Sequence, residues 1–396
     1  MNHPVLPFRI VLFGVLAIAQ AYLFLRLREA VRRSAWPRWL QTMAVAAIGT
    51  LVGACYLLNI YIVVRRLPWV DPPFLAQVGV LYPVAIWNFA SAFSALVLAL
   101  LRSAGRIRRS LVRCWRSLNG SVVPASPDLT RRRFLQAGVG AVASSPLFFA
   151  TYGAAAASIR TEVEEVSLAF GRRLRVVHLT DIHAGLYMTR EHLRRYADLV
   201  NGLRPDLVAL TGDYISNSMS FLPCMEELAR VRARYGTFVT LGNHEHWNGD
   251  AREAAAFFRK LGMAVLQNEH RLLHTPDGPV AVAGIDDLEA GRPDLDAALR
   301  GLARSLPTIL LSHRPEIFPR AAARQVNLTL SGHWHGGQVK VPVLGMDLSI
   351  AHLISRYPEG LYREAGSHLY VSRGIGTTGP PIRLNAPPEV VLFHLT

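Results

Sequence analysis

The chain has 396 residues, of which 51% are hydrophobic and 18% charged, and its formal net charge is +15. That mixture is too apolar for one soluble enzyme and points to a membrane part joined to a soluble part. The basic excess lies in arginine clusters beside apolar runs, which speaks against a nucleic-acid binder, and three scattered cysteines speak against both a disulfide framework and a thiolate metal site.

Residues 10–25 form the first apolar run, broken only by Gln20. Arg26, Arg28, Arg32, Arg33 and Arg38 follow, with Glu29 the one acid among them. A second apolar run covers 40–64, and a proline-containing link covers 65–73. A third run covers 74–101 and leads into Arg102, Arg106, Arg108, Arg109, Arg113 and Arg116. Arginine-rich loops stay in the cytoplasm. The link at 65–73 is therefore expected outside, with the amino terminus.

Thr130-Arg131-Arg132-Arg133-Phe134-Leu135-Gln136 precedes a fourth, milder hydrophobic stretch rich in Gly, Ala and Ser. This heptapeptide resembles the twin-arginine export signal of bacteria. Ala154 to Ser158 offers small residues to a signal peptidase. The other reading is an uncleaved fourth helix. Both place the chain beyond Ser158 outside the cytoplasm. The expected division is 1–101, three transmembrane helices; 102–133, a basic cytoplasmic linker; 134–158, a signal or anchor; and 159–396, the catalytic domain. The expected location is the bacterial cytoplasmic membrane.

From residue 159 short apolar runs alternate with helical patterns. Strands are expected at 175–180, 207–210, 237–241, 280–285, 308–311 and 326–330, and in the tail at 369–372 and 389–394. Helices are expected at 189–203, 223–235, 251–261, 295–304 and 315–323, with Thr189 as an N-cap. Such alternation predicts a layered α/β fold, sheets inside and helices outside.

Five of these strands end in turns that deliver Asp, Asn or His. The turns are Asp181-Ile182-His183, Gly212-Asp213, Gly242-Asn243-His244-Glu245, Ser312-His313 and Gly332-His333-Trp334-His335. Strand ends are where open α/β folds place their sites. Carboxylate oxygen with imidazole nitrogen suits Mn, Fe or Zn, and the absence of thiolates argues against a closed structural zinc site. The donors exceed one ion's needs, so two divalent cations are expected, with Asp213 able to bridge them. The remaining histidines read as structural, His246 least securely because it follows the third block.

The order and spacing of the five blocks resemble the calcineurin-like metallophosphoesterase superfamily. The resemblance implies a two-sheet β-sandwich flanked by helices and a dinuclear metal centre. Carried over by position, it gives Asp181, His183 and His335 to one metal, Asn243, His313 and His333 to the other, and Asp213 to both. His244, the candidate catalytic residue, would lie beside the phosphate and protonate the leaving oxygen or stabilise the charge building there. Glu245 stands where the commonest form of the motif has Asp. Two close cations activate water and clamp the attacking and leaving oxygens.

The tail carries Gly336-Gly337-Gln338, Gly360-Leu361-Tyr362, the run from Tyr370 to Gly376, Pro381-Ile382-Arg383 and Pro387-Pro388-Glu389. It resembles a bacterial branch of the superfamily with membrane-attached and twin-arginine-exported members. That branch includes relatives that hydrolyse UDP-2,3-diacylglucosamine. Arg373 and Arg383 are its candidate phosphate contacts. The expected function is hydrolysis of a phosphodiester or pyrophosphate in an envelope or lipid-linked substrate, manganese-dependent in the first instance. The alternatives are UDP-2,3-diacylglucosamine hydrolysis in lipid A synthesis and a sensor or scaffold without activity. Partners are the bilayer and the phosphate-ester substrate, with no nucleic acid.

Overall fold

The computed structural model describes residues 5–65, 71–119, 144–155, 161–248, 250–343 and 345–396. Within it the chain divides into two compact units, Met1–Arg65 with Tyr82–Tyr152, and Arg66–Leu81 with Gly153–Thr396.

The first unit is helical. Helices Val5–Arg32, Arg38–Arg65 and Tyr82–Asn119 follow the apolar runs. Among the described residues, three segments, Ile10–Arg32, Arg38–Ile62 and Phe74–Trp115, are long and apolar enough to cross a membrane. Gln20 Nε2 donates to Asn88 Oδ1 (3.0 Å) and Ser91 Oγ (3.2 Å), a polar contact between helices of the kind bilayer interiors favour. One expectation changes here. The third helix does not stop at the arginines but continues through them to Asn119, because arginine and leucine are good helix formers and no proline intervenes. Of the fourth hydrophobic stretch, 144–155 is helical. The twin-arginine-like heptapeptide lies outside the described residues.

Among its described residues the second unit has fourteen strands. They are β1 (Glu162–Leu168), β2 (Leu174–Leu179), β3 (Leu207–Thr211), β4 (Thr237–Thr240), β5 (Ala264–Val265), β6 (Glu269–Thr275) and β7 (Gly278–Gly284). Then come β8 (Thr308–Leu311), β9 (Leu328–Ser331), β10 (Val341–Val343), β11 (Met346–Leu348), β12 (Gly360–Glu364), β13 (Ser367–Val371) and β14 (Glu389–Leu395). One sheet has the order β1-β14-β2-β3-β4-β5 and the other β12-β13-β9-β8-β7-β6, while β10 and β11 form a separate ribbon.

The two sheets face each other. Val176, Leu207, Ala209 and Phe238 from the first meet Val280, Val282, Ile309, Leu311, Leu328 and Leu330 from the second in one buried core. Successive residues of a strand point to opposite faces, so Val177, Leu179, Val208, Leu210 and Val239 turn the other way. They pack under Leu193, Tyr196 and Val200 of helix Arg190–Gly202 and Phe258 of helix Ala251–Lys260. Outside the second sheet, Ala283 and Leu310 meet Leu295, Ala298, Ile317 and Ala321. Burial on both faces explains why the central strands read as unbroken apolar runs. The chain is thus mixed α/β, with two main sheets flanked by helices.

Two helical expectations shorten. Met219–Arg230 is a 3-10 helix that starts before the expected segment and contains Pro223, which supplies no backbone donor. The helix expected at 295–304 is only Leu295–Ala298, and the chain turns away with Gly301 at φ +82°.

Candidate metal centre

Strands β2, β3 and β4 run parallel, as do β8 and β9, so their carboxyl ends lie on one edge of the sandwich. The five sequence blocks begin at those ends. His183 Nε2 and His335 Nε2 are 3.0 Å apart, and His335 Nε2 is 3.3 Å from Asp181 Oδ1. His313 Nε2 is 3.2 Å from Asp213 Oδ2 and 3.2 Å from His333 Nδ1. Asp181, His183 and His335 form one group whose candidate ligand atoms lie within 4.8 Å of one another, and Asp213, His313 and His333 form another. A third combination joins His183, Asp213 and His244. Asp213 stands between the two histidine sets, its Oδ2 3.7 Å from His183 Nε2. Asn243 is buried at the start of helix Asn243–Asn248, its Oδ1 3.5 Å from Arg314.

Backbone conformation aims these side chains. Asp181, His183, Asp213, His333 and His335 all have left-handed φ, between +49° and +73°. Side chains rarely adopt that region, and residues held there cluster at functional sites. Gly332 serves a second need. A Cβ there would overlap Asp181 Oδ2 and Thr180 Oγ1, so only glycine lets the His333 turn approach Asp181.

The electrostatics favour cations. Burial pushes His183 down to about 3, and burial together with neighbouring cationic groups holds His333 and His335 well below the ordinary range. The His183 and His335 rings, both disfavoured as cations, stand with their Nε2 atoms 3.0 Å apart. Burial alone would raise Asp213, but His313, His244 and His183 together hold it well below the usual carboxylate range. Conversely, burial opposes charge on His313, but Asp213 outweighs it and lifts the ring to about 10. A cluster of imidazoles and carboxylates with such a demand for positive charge fits divalent metal.

His244 differs from the buried rings. Its side chain is 14% exposed, whereas those of His183 and His313 are at 0%. Its Nδ1 lies 2.5 Å from the Ser216 carbonyl, which only accepts, so Nδ1 is the donor and Nε2 faces Asp213 Oδ2 at 3.9 Å.

Arg373 and Arg383, the candidate phosphate contacts, are both engaged by groups of the protein. Arg373 Nε donates to Glu389 (2.6 Å) and its terminal nitrogen to Glu162 (3.2 Å). Arg383 is buried, donates to the carbonyls of Gly376, Ala386, Arg373 and Gly374, and also reaches His335 Nδ1 (3.3 Å). A guanidinium so occupied is a brace for the tail.

The sequence named Glu245 without a role and did not mark Thr378. Glu245, fully buried, accepts from the backbone N–H groups of Asp213 (3.0 Å), Tyr214 (2.8 Å) and Gly242 (2.9 Å), which ties the second block to the third. Burial and the nearby Asp213 push it up to about 7, against those donors. Thr378 Oγ1 lies 3.0 Å from both His183 Nε2 and His335 Nε2. No local signal marks Thr378, since it sits in an irregular loop far along the chain. Outside the cluster, His178 bonds Thr211 (2.8 Å) and His246 bonds Asp286 (2.9 Å).

Comparison with known proteins completes the picture. A family model described as calcineurin-like phosphoesterase matches residues 174–337. An uncharacterized metallophosphoesterase of Bacillus subtilis, YkuE, is 33% identical over 225 residues, covering 56% of this chain and 78% of that protein. One from Aquifex aeolicus is 32% identical over 241 residues, covering 59% and 89%. A Bos taurus transmembrane protein with metallophosphoesterase domain is 34% identical over 240 residues, and the chain spans about half (53%) of its length. Among solved structures, a dimetal phosphatase from Danio rerio superposes with a TM-score of 0.32 at 12% identity, over 51% of this chain and 88% of that one.

Proposed function

The chain belongs to the calcineurin-like metallophosphoesterases, metal-dependent hydrolases of phosphoric esters, and we propose that it cleaves a phosphodiester or pyrophosphate in an envelope or lipid-linked substrate. The observation that carries this reading is the convergence of donors from five strand ends on one edge of the sandwich. In it Asp181, His183 and His335 would hold one cation, Asn243, His313 and His333 a second, and Asp213 both. Manganese is the proposed ion, and the donor set also accepts iron or zinc. When bound, a metal pair supplies charge neutralisation at phosphate oxygens and an activated water.

The chain's own groups do the rest. Asp213 balances charge between the two sets. Glu245 and the backbone N–H groups it collects keep the second and third blocks in register. His244, oriented by the Ser216 carbonyl at Nδ1, presents Nε2 to the leaving oxygen, to protonate it or stabilise the charge building there. Purified full-length protein is expected to hydrolyse bis-p-nitrophenyl phosphate with Mn²⁺, to lose turnover on chelation and to regain it on readdition. Absence of turnover with Mn²⁺, Fe²⁺ or Zn²⁺ would instead favour a sensor or scaffold.

We place the domain from 159 onward outside the cytoplasm. Support comes from the link that precedes the third apolar segment. Residues 66–81 belong to the same compact unit as 153–396. Within that unit the Arg190 backbone N–H donates to Asp71 Oδ1 (3.1 Å), and Tyr187 OH donates to the Leu81 carbonyl (3.2 Å). A link and a domain in contact share one side of the bilayer, so an even number of crossings separates them. The third segment and the stretch at 134–158 supply two. A phosphatase reporter fused after Ser158 is expected to be active, and a fluorescent-protein reporter dark. The opposite result would overturn this topology and promote the cytoplasmic UDP-2,3-diacylglucosamine reading.

A further inference from the structure

The ribbon and helix that follow the His333–His335 turn are apolar on the outside. Helix Ile350–Ile354 has Ile350, Leu353 and Ile354 at i, i+3 and i+4, the stripe a surface helix ordinarily buries. Here that stripe is 70%, 77% and 65% exposed, and the helix buries Ala351 instead. In the ribbon, Val341 pairs with Leu348 and Val343 with Met346, so Val341 and Met346 share a face, and both are exposed. Elsewhere among the described residues of 161–396, the large apolar side chains with comparable exposure are Val163, Leu272 and Leu361. Exposed apolar groups concentrated in this way mark a protein or membrane interaction site, whereas scattered ones need no explanation.

The patch is fixed to the metal centre. A Cβ on Gly337 would overlap Ser349 Oγ, the residue that precedes the helix, so the helix presses on the turn that carries His335. At the edge of the patch the exposed Arg356 side chain lies 3.8 Å from Glu364. The other flank of the centre points to the occupant. Residues 187–190, just beyond the Asp181–His183 loop, bind Asp71 and Leu81. Those two residues bracket the start of Phe74–Trp115, a segment able to cross a membrane, whose Phe74 and Leu75 are exposed. The start of a membrane-competent segment and the apolar patch thus flank the same cluster, on the loops after β2 and after β9.

We propose that residues 341–354 are a membrane-docking element that seats the metal centre on the lipid headgroup layer, so that the hydrolysed phosphate ester is one carried by a membrane lipid. The substrate clause rests on the phosphoesterase reading above, and the docking clause does not. Aliphatic side chains enter the acyl boundary while a nearby arginine meets phosphate, as in other interfacial elements.

The test uses full-length protein in vesicles of phosphatidylethanolamine and phosphatidylglycerol. Cys55, Cys114 and Cys224 are replaced, and an environment-sensitive fluorophore is attached through Leu353→Cys or, as reference, Leu272→Cys. Nitroxide-labelled lipids are expected to quench the label at 353 and to leave that at 272 unaffected. Equal response at both positions, or self-quenching at 353 that reports a second copy of the chain, overturns the docking. In parallel, the triple change Ile350→Asp, Leu353→Asp, Ile354→Asp is expected to lower hydrolysis of vesicle-borne hexadecyl p-nitrophenyl phosphate roughly tenfold, with soluble bis-p-nitrophenyl phosphate unaffected. An equal loss on both substrates overturns the substrate clause. Quenching at 353 by a parent protein that hydrolyses neither ester upholds the docking and refutes the phosphoesterase reading alone.

Discussion

Replacing Asp213 with asparagine is expected to lower hydrolysis of bis-p-nitrophenyl phosphate by about a thousandfold. One oxygen of this carboxylate faces three rings from separate segments, His313 at 3.2 Å, His183 at 3.7 Å and His244 at 3.9 Å. The other oxygen accepts from the His244 backbone N–H (2.9 Å). Asparagine keeps the size and tolerates the left-handed backbone at φ +55°. It removes the charge and turns one acceptor into a donor. The substitution therefore isolates the shared charge from the shape of the loop. Metal analysis should show less than the parent stoichiometry, while the far-ultraviolet circular dichroism stays unchanged. Activity within about tenfold of the parent, against the cost typical of losing one such group, would exclude Asp213 as the common ligand.

Replacing Arg383 with alanine is expected to cost about 3–5 kcal/mol of stability, because several buried carbonyls lose their donor at once and a cavity is left. Arg383 is 1% exposed. Burial brings its guanidinium down to about 10, so it remains cationic at neutral pH. Its nitrogens hold the carbonyls of Arg373, Gly374, Gly376 and Ala386. That loop in turn grips the first metal block, Gly376 N–H donating to the Asp181 carbonyl (2.8 Å) and Ile375 N–H to that of Thr180 (3.2 Å). Arg383 thus supports Asp181 through backbone. For a domain of this size the loss corresponds to a fall of roughly 10 °C in Tm, readable by scanning fluorimetry. Arg383→Lys should fall between parent and alanine, since an ammonium lacks the planar fork. A phosphate contact predicts the reverse pattern, an unchanged Tm with a raised KM, and that outcome would refute the brace.

How the site assembles separates local information from long-range information. Each block was visible as an apolar run ending in a turn with Asp, Asn or His, because burial on both faces leaves such runs in β2, β3, β4, β8 and β9. The edge strands left no such trace. β1 carries Glu162, Glu164 and Glu165 and is exposed or half-buried up to Leu168, and β12 carries Arg363 and Glu364 and alternates between half-buried and exposed positions. The strand state of β1 comes from a partner far away in sequence, β14, with which it pairs in parallel, while β12 depends on its hairpin partner β13, itself paired with the remote β9.

By itself the sequence determined the membrane-competent helices, the alternation of sheet and helix, and the identity of the histidines and carboxylates at the strand ends. Composition and spacing carry those features because a long apolar run, or a period in the buried positions, is a local property. Only the tertiary structure decided which donors meet, that Glu245 and Thr378 join them, that Arg383 ties the tail loop to the His335 ring, and that the helix after the last histidine block turns its apolar stripe outward. Each of those depends on the distance between residues remote in the chain, which no local pattern encodes.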